Sequence, residues 1–383
     1  MKIETKCVHS GGGTDTISGG LNTPIFPSSA HEYLDARETA YPRYFNTLNQ
    51  KVLVEKICEL EGAQDGVVFS SGMAAISSVL LSFLKAGDHV VLQDEIYGGS
   101  HAFVGGFFDR FGIDYSFAAT SAEAIEAAIR PETQLIFIET PTNPLLNIID
   151  IRAVAEVAQR SNCITVIDNT FATPVLQNPI EHGIDVVVHS GTKYLGGHSD
   201  LSCGAAVTRS DLASRIRNTA LNFGGNLNAL TCYLLERSLK TLAIRVRQQT
   251  ENAFAIAKFL DGEPAFGKVN YPGLPDHPGH TIARGQMSGF GAMLSFELSD
   301  PGQSADNFMR KLKLVKPAVS LGGVETTICD PARTSHVKVS AEVRARQGVT
   351  DNLLRLSVGI ENIDDLIADI KAVSRSDCRR QGD

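Results

Sequence analysis

One lysine stands out by its company. Lys193 lies in the run His189-Ser190-Gly191-Thr192-Lys193-Tyr194-Leu195-Gly196-Gly197-His198, directly after the apolar stretch Val186-Val187-Val188. Lysines are seldom drawn towards a buried strand without a role. The ordinary alternative is a surface amine on a snorkelling stem, but small hydroxyls and glycines around it suit phosphate oxygens. Asp168 ends a second apolar stretch, Ile164-Thr165-Val166-Ile167. A carboxylate there is costly unless paired, and alone it reads equally as a helix cap or an ion pair. After Val67-Val68-Phe69 comes Ser70-Ser71-Gly72-Met73-Ala74-Ala75, small residues opening a helix. Backbone amides at such a start favour an anion, although a tight strand-to-helix turn accounts for the run as well. The run is not a Walker A loop, and no G-x-G-x-x-G follows a strand. Tyr97 follows the stretch His89-Val90-Val91-Leu92.

Together these residues describe one chemistry. A phosphate-bearing aldehyde cofactor needs a lysine for a Schiff base, a carboxylate on its pyridine nitrogen, phosphate donors and a ring to stack on. That is the requirement of pyridoxal 5'-phosphate. Lys193 follows Asp168 by 25 residues, one strand–helix–strand step, which sets the two on adjacent or near-adjacent strand ends.

The elements that must position them alternate. Short apolar runs at 67–69, 89–92, 135–138, 164–167 and 185–188 read as buried strands, with helical patterns at 122–129 and 151–160 between them. This predicts an α/β fold: a mostly parallel sheet with helices on both faces, its ligands beyond the carboxyl ends of the strands. Residues 1–45 are rich in Gly, Ser, Pro and Thr with little periodicity and read as an arm. Residues 46–240 form the large cofactor-binding domain, and 241–383 a smaller α+β domain. A long helical pattern, 227–260, leads out of the large domain. Strands are expected at 292–297 and 353–357, helices at 305–312 and 363–373, and a loose polar tail at 374–383.

Composition narrows the function. The chain has 383 residues, 43% hydrophobic and 20% charged, with a formal charge of −8. It is long enough for a sizeable core. The acidic balance speaks against nucleic acid and against an anionic membrane, leaving a small-molecule partner. The stretch 66–84 nears membrane-span length, but its serines and Gly72 read as strand, turn and helix. Seven scattered cysteines without a C-x-x-C pair, and no apolar leader in 1–13, predict reduced thiols and a cytoplasmic location. His182, His189 and His198 match no zinc spacing, so no metal is expected.

From Thr5-Lys6-Cys7-Val8-His9 to Arg355-Leu356-Ser357-Val358-Gly359-Ile360-Glu361 the chain resembles the trans-sulfuration (cystathionine and methionine metabolism) family of pyridoxal-phosphate enzymes, fold type I. The resemblance rests on Tyr41-Pro42-Arg43, Ser70 to Ala75, Tyr97-Gly98-Gly99, Glu139-Thr140-Pro141-Thr142-Asn143-Pro144, Asp168-Asn169-Thr170-Phe171, the Lys193 run and Ser320-Leu321-Gly322-Gly323. One departure is Asn46-Thr47-Leu48, where the family often has Asn-Pro-Thr. The resemblance implies that Lys193 holds the cofactor and shuttles protons, and that Asp168 binds the pyridine nitrogen. The Gly72 and Met73 amides, with Ser190 and Thr192, would hold the phosphate. Tyr41 and Arg43 would reach the phosphate of a neighbouring subunit, in a homotetramer built from tight dimers. Tyr97 would stack on the ring and assist proton transfer. Arg355, with its fork for a carboxylate, Asn143 and Ser320 would line the substrate side.

The implied activity is a carbon–sulfur lyase acting at Cβ or Cγ of a sulfur amino acid such as cystathionine or methionine, releasing a thiol, ammonia and a 2-oxo acid. The alternative is γ-replacement on O-acyl-homoserine, as in cystathionine γ-synthase; a transaminase and a catalytically silent cofactor-binding regulator are weaker rivals. Relatives that take cystathionine in the γ-lyase and γ-synthase groups typically carry acidic residues where this chain has Ala40 and Val319, and Ala102 adds no charge near Tyr97. This tilts the expectation towards a shorter, apolar thioether. Against it, methionine γ-lyases usually have cysteine where this chain has Gly99. The related acyl-homoserine sulfhydrylases are longer.

Overall fold

The computed structural model describes residues 1–12, 15–36, 38–300, 304–337 and 341–376. Cys378 and most of the expected polar tail, residues 377–383, lie outside the described residues. The large sheet has seven strands: β1 (Asp65–Phe69), β2 (His89–Gln93), β3 (Asp114–Ala118), β4 (Thr133–Glu139), β5 (Ile164–Asp168), β6 (Val186–His189) and β7 (Gly204–Thr208). Their order is β1-β7-β6-β5-β4-β2-β3. Strands β3, β2, β4, β5 and β6 run parallel. Strand β7 is antiparallel to both its neighbours. The reason is local: residues 190–203 join β6 to β7 without a crossover helix, and a parallel return needs one.

The central strands are buried on both faces, as a helix-covered sheet requires. Alternate residues enter opposite cores: Val91, Ile136, Ile138, Ile167 and Val187 on one face, and Val90, Leu92, Leu135, Phe137, Val166, Val186 and Val188 on the other. Two of the flanking helices matter for the site. Helix α2 (Leu48–Glu61) follows α1 (Ile3–His9) and opens on a capping box between Thr47 and Gln50, reciprocal bonds that satisfy orphan amides. Helix α3 (Gly72–Phe83) opens on Ser71, whose hydroxyl accepts from the Ala74 amide at 3.1 Å.

The second sheet, in order β10-β11-β12-β9-β8, is built from β8 (Phe266–Asn270), β9 (Met293–Leu298), β10 (Lys316–Pro317), β11 (Thr327–Cys329) and β12 (Leu353–Ser357). Leu354 and Leu356 of β12 are fully buried in its core, with Arg355 between them.

Two local expectations change. The helical pattern 227–260 is two helices, Ala229–Leu239 and Leu242–Asp261. At the break, the Ser238 carbonyl accepts from the Thr241 hydroxyl and the Arg245 guanidinium, which occupies a group a continuous helix would use itself. The chain start is not irregular throughout. Helix α1 packs on α2 and on Leu242–Asp261, with Cys7 buried and its carbonyl accepting from the buried Lys56 ammonium at 2.9 Å. From Ile17 to Tyr44 the chain is mostly exposed; Ile17 and Leu34 are 95% and 82% accessible. At the departure from the family pattern, Asn46 itself shapes the turn: its Oδ1 accepts from the Tyr41 amide at 2.9 Å and its amide donates to the Thr39 carbonyl at 3.0 Å. Among the described residues no helix is long and apolar enough to cross a membrane.

Candidate active site

A cavity of about 390 Å³ opens at the carboxyl ends of β4, β5 and β6, closed from the other side by β12 and the segment before β11. It is lined by Gly72, Met73, Tyr97, Asn143, Asp168, Ser190, Thr192, Lys193, Ser320 and Arg355, ten of the twelve residues singled out from the sequence. Tyr41 and Arg43 are not among its lining. They stand at a short 3-10 turn, Pro42–Tyr44. There the Arg43 guanidinium donates to the Leu221 carbonyl at 2.9 Å and lies 5.7 and 5.4 Å from the Tyr41 and Tyr44 ring centres.

The anion corner is built by close approach. A Cβ on Gly72 would stand 2.8 Å from that of Ser190, so only glycine lets the start of α3 abut the β6 loop. The Gly72 and Met73 amides lie in the first turn of α3, where backbone donors lack helical partners, and the Ser190 and Thr192 side chains line the same cavity. Lys193 is half-buried, and its ammonium donates to the Ser320 hydroxyl at 2.8 Å. Burial first, and then the Arg355 guanidinium, bring its pKa down to about 8. Ser320 holds φ +77°, a left-handed conformation that side-chain-bearing residues take only when the surroundings impose it. Two such bonds are present: Gly322 donates its amide to Ser357 at 2.8 Å, and Arg355 donates to the Ser320 carbonyl at 3.3 Å. Arg355 is buried, and its other terminal nitrogen donates to Asn143 Oδ1 at 2.8 Å.

Asp168 ends β5 beside β6, so the 25-residue spacing does place it one strand away from the Lys193 loop. Burial raises the pKa of its carboxyl, while the Thr170 hydroxyl and amide, which both donate to it, and His189 draw it down. Glu139 was quoted in a motif but given no role from sequence. It ends β4 opposite Asp168, lines the cavity, and accepts the Tyr97 amide at 2.7 Å. Burial and then the Asp168 charge push its pKa well above the usual carboxylate range. Of the two neighbours Glu139 therefore keeps the proton, since like charges this close cannot both ionise. Its signal in the sequence was position: a carboxyl ending a buried apolar strand, as for Asp168. Thr170, which lies in the Asp168 motif without a role assigned to it, and Ser335, an ordinary turn residue by sequence, also line the cavity. Among the described residues no group of three or more His, Cys, Asp or Glu side chains is placed to hold a metal ion.

This set fits a phosphorylated pyridine aldehyde: a helix start for the phosphate, a buried carboxylate for the ring nitrogen and an amine of lowered pKa for the aldehyde. The amine attacks only when neutral. The apo-protein is therefore expected to capture pyridoxal phosphate faster as pH rises, levelling off above about 8. An ordinary lysine, with a pKa near 10.4, would show no such plateau. Stopped-flow absorbance across pH would decide between the two.

A large, mostly parallel sheet, a lysine loop after β6 and this donor set define a fold type I pyridoxal-phosphate enzyme. The family model for the Cys/Met metabolism PLP-dependent enzymes matches residues 4–373. The chain is 43% identical over 374 residues to a cystathionine β-lyase of Lactococcus lactis subsp. cremoris, covering 96% of this chain and 98% of that one. It is 41% identical over 384 residues to an L-methionine γ-lyase of Fusobacterium nucleatum subsp. nucleatum, covering 96% and 97%. A crystal structure of cystathionine γ-synthase from Xanthomonas oryzae pv. oryzae in complex with cystathionine superposes with a TM-score of 0.95 at 39% identity, covering 99% of each chain. The chain belongs to the Cys/Met metabolism family of pyridoxal-phosphate-dependent enzymes. Its cofactor is pyridoxal 5'-phosphate, and it is a carbon–sulfur lyase of the trans-sulfuration group.

Proposed function

We propose that the enzyme eliminates a thiol or sulfide from a sulfur amino acid with a short, apolar distal end, such as methionine or homocysteine, leaving ammonia and a 2-oxo acid. One observation carries the reading. Lys193 and Arg355 line one cavity with Asp168 and the start of α3, and among the described residues the acidic side chains lining it are Asp168 and Glu139 alone, both at the ends of their strands, β5 and β4. Cystathionine has a second ammonium and carboxylate at its far end, and burying these unpaired is costly.

Each residue has its task. Arg355 clamps the substrate carboxylate, oriented by Asn143. Gly72, Met73, Ser190 and Thr192 anchor the phosphate. Asp168 pairs with the pyridine nitrogen, and Tyr97 stacks on the ring. When bound, the cofactor withdraws electrons from the substrate Cα. Lys193 Nζ takes the Cα proton, with Ser320 holding the amine in line. For elimination at Cγ a further proton leaves Cβ, and Lys193 and Tyr97 are within the cavity to move it.

The test is product identity. Incubated separately with methionine, homocysteine, cystathionine, cysteine and O-acyl-homoserine, the enzyme should turn over methionine or homocysteine faster than cystathionine. Pyruvate from cystathionine would indicate β-cleavage and 2-oxobutanoate γ-cleavage. Activity only with O-acyl-homoserine plus cysteine would replace the lyase reading with a synthase, as the similarity to cystathionine γ-synthase would allow.

Tyr41 and Arg43 stand outside this chain's own cavity on an exposed stretch. They complete the phosphate site of a second copy, in a cytoplasmic homotetramer. Light scattering should give a four-subunit particle. Arg43→Ala should loosen cofactor retention roughly 10- to 100-fold, the weight of one charge-assisted contact. An active monomer, or unchanged retention, would refute the assignment.

A further inference from the structure

Three polar side chains share one buried face of the helix Leu242–Asp261. Arg245, Gln249 and Asn252 are all buried, and their spacing, i, i+4 and i+7, lines them up on one side. Each donates to main-chain carbonyls of other segments. The Arg245 guanidinium donates to the Tyr194 carbonyl at 2.8 Å and the Leu195 carbonyl at 3.4 Å, the two residues that follow Lys193. It also holds the break before its own helix, through the Ser238 carbonyl at 3.0 Å and the Thr241 hydroxyl at 3.2 Å. The Gln249 amide bridges two segments, donating to the Gly323 carbonyl at 2.7 Å and the Val358 carbonyl at 3.1 Å. Gly323 comes three residues after Ser320, and Val358 three after Arg355. Asn252 donates to the Gly359 and Glu361 carbonyls at 3.1 and 2.9 Å. The loops held in this way also touch. Gly322 has φ +77°, and a Cβ there would stand 2.7 Å from the Tyr194 nitrogen, so the Ser320 turn seats on the lysine loop.

Stability alone does not account for this face. Among the described residues the four partners of Arg245 are uncharged, and a buried cation without a counter-charge is costly. Gln249 Oε1 is buried without a hydrogen-bond partner, a further cost. Ordered water could satisfy the same carbonyls. A side chain rooted in a helix also fixes where they stand, and reacting groups must be held to within about 0.5 Å.

We propose that Arg245, Gln249 and Asn252 are positioning residues: their helix is a ruler that sets Lys193, on the large domain, against Ser320 and Arg355 on the other side of the cavity. The inference rests on the readings of Lys193 as the base and Arg355 as the carboxylate clamp.

The experiment follows exchange of the Cα hydrogen of L-alanine in D2O by NMR, with holoenzyme. Alanine has no leaving group, so exchange reports proton transfer at Cα whichever sulfur amino acid is the substrate. Arg245→Lys keeps the charge and loses the fork. Gln249→Met keeps the length and loses both donors. Ile256→Ala, at a buried apolar position of the same helix, is the control for lost stability. Per bound cofactor, maximal exchange should fall roughly 10- to 100-fold in Arg245→Lys and Gln249→Met, the cost of misplacing reacting groups by up to about 1 Å. The half-saturating alanine concentration should hold, because Arg355 keeps its own contacts. Ile256→Ala should melt earlier and exchange like wild type. A second readout uses the apo-proteins. In Gln249→Met the pH at which cofactor capture levels off should rise from about 8, since the Arg355 charge then bears less closely on Lys193. Asp168, Glu139 and Tyr97, the other titratable groups lining the cavity, belong to the large sheet and its loops and are unchanged in these variants. Wild-type exchange per bound cofactor in both Arg245→Lys and Gln249→Met, or an equal loss in Ile256→Ala, overturns the proposal. If Lys193→Ala abolishes exchange and Arg355→Ala raises the half-saturating concentration while the two helix variants match wild type, only this proposal fails. If wild type does not exchange, or Lys193→Ala exchanges as well as it does, the reading of Lys193 fails and the proposal with it.

Discussion

Lys193→Ala is expected to give a folded, colourless protein. Turnover should fall by at least about 100- to 10,000-fold, the range for losing a positioned proton-transfer group. On the role proposed for Lys193, loss of the covalent attachment adds to it. The fold should survive, because the Lys193 ammonium has a single hydrogen bond, to the exposed Ser320 hydroxyl, and its removal leaves no buried group unpaired. Unchanged circular dichroism, together with a missing visible band after incubation with pyridoxal phosphate, is the expected pair of results. A yellow Lys193→Ala protein with measurable turnover would show that another amine holds the cofactor.

Arg355→Ala should act differently. The guanidinium is buried between Asn143 and the Ser320 carbonyl, and on the role proposed for Arg355 its removal takes away the charged partner of the substrate carboxylate. A hydrogen bond to a charged group is worth about 1.5–3 kcal/mol, so KM should rise roughly 10- to 100-fold. Asn143 Oδ1 also loses its donor, which adds a small loss of stability. A second effect separates this variant from a simple binding defect. The Arg355 charge helps to hold the Lys193 pKa down. Without it, the pH at which cofactor capture levels off should move upward from about 8. Arg355→Lys should restore the pH but not the KM, since an ammonium keeps the charge and loses the fork. An unchanged KM in Arg355→Ala would remove Arg355 from the substrate site.

The legible parts of the molecule were those where one residue type has few uses. Apolar runs ending in Asp168 and before Lys193 located β5 and β6, and a spacing of 25 residues set them side by side. β7 was not legible: Gly204–Thr208 has two alanines and a glycine where β5 and β6 have runs of Val and Ile. Its antiparallel course follows from the missing crossover, which only the fold exhibits. α1 was hidden because seven residues carry too little periodicity; it is stabilised by tertiary packing on α2, not by its own pattern. At the site, Ser320 and Asn143 had to be taken from a resemblance, because their positions depend on φ +77° at Ser320 and on Arg355 reaching across from the second sheet. Arg245 lies 51 residues from the Tyr194 carbonyl it holds, and no local signal joins them.

The order of the large sheet has a consequence for how the chain is made. β1, which precedes the other described strands in the chain, has β7 as its one neighbouring strand in the sheet among the described residues, about 140 residues later. At roughly 5–20 residues per second, the Val67-Val68-Phe69 segment waits on the order of 10–30 s for its partner. During that time its edge is open to other nascent chains. Slowed translation between β1 and β7 should therefore lower soluble yield more than an equal delay after β7.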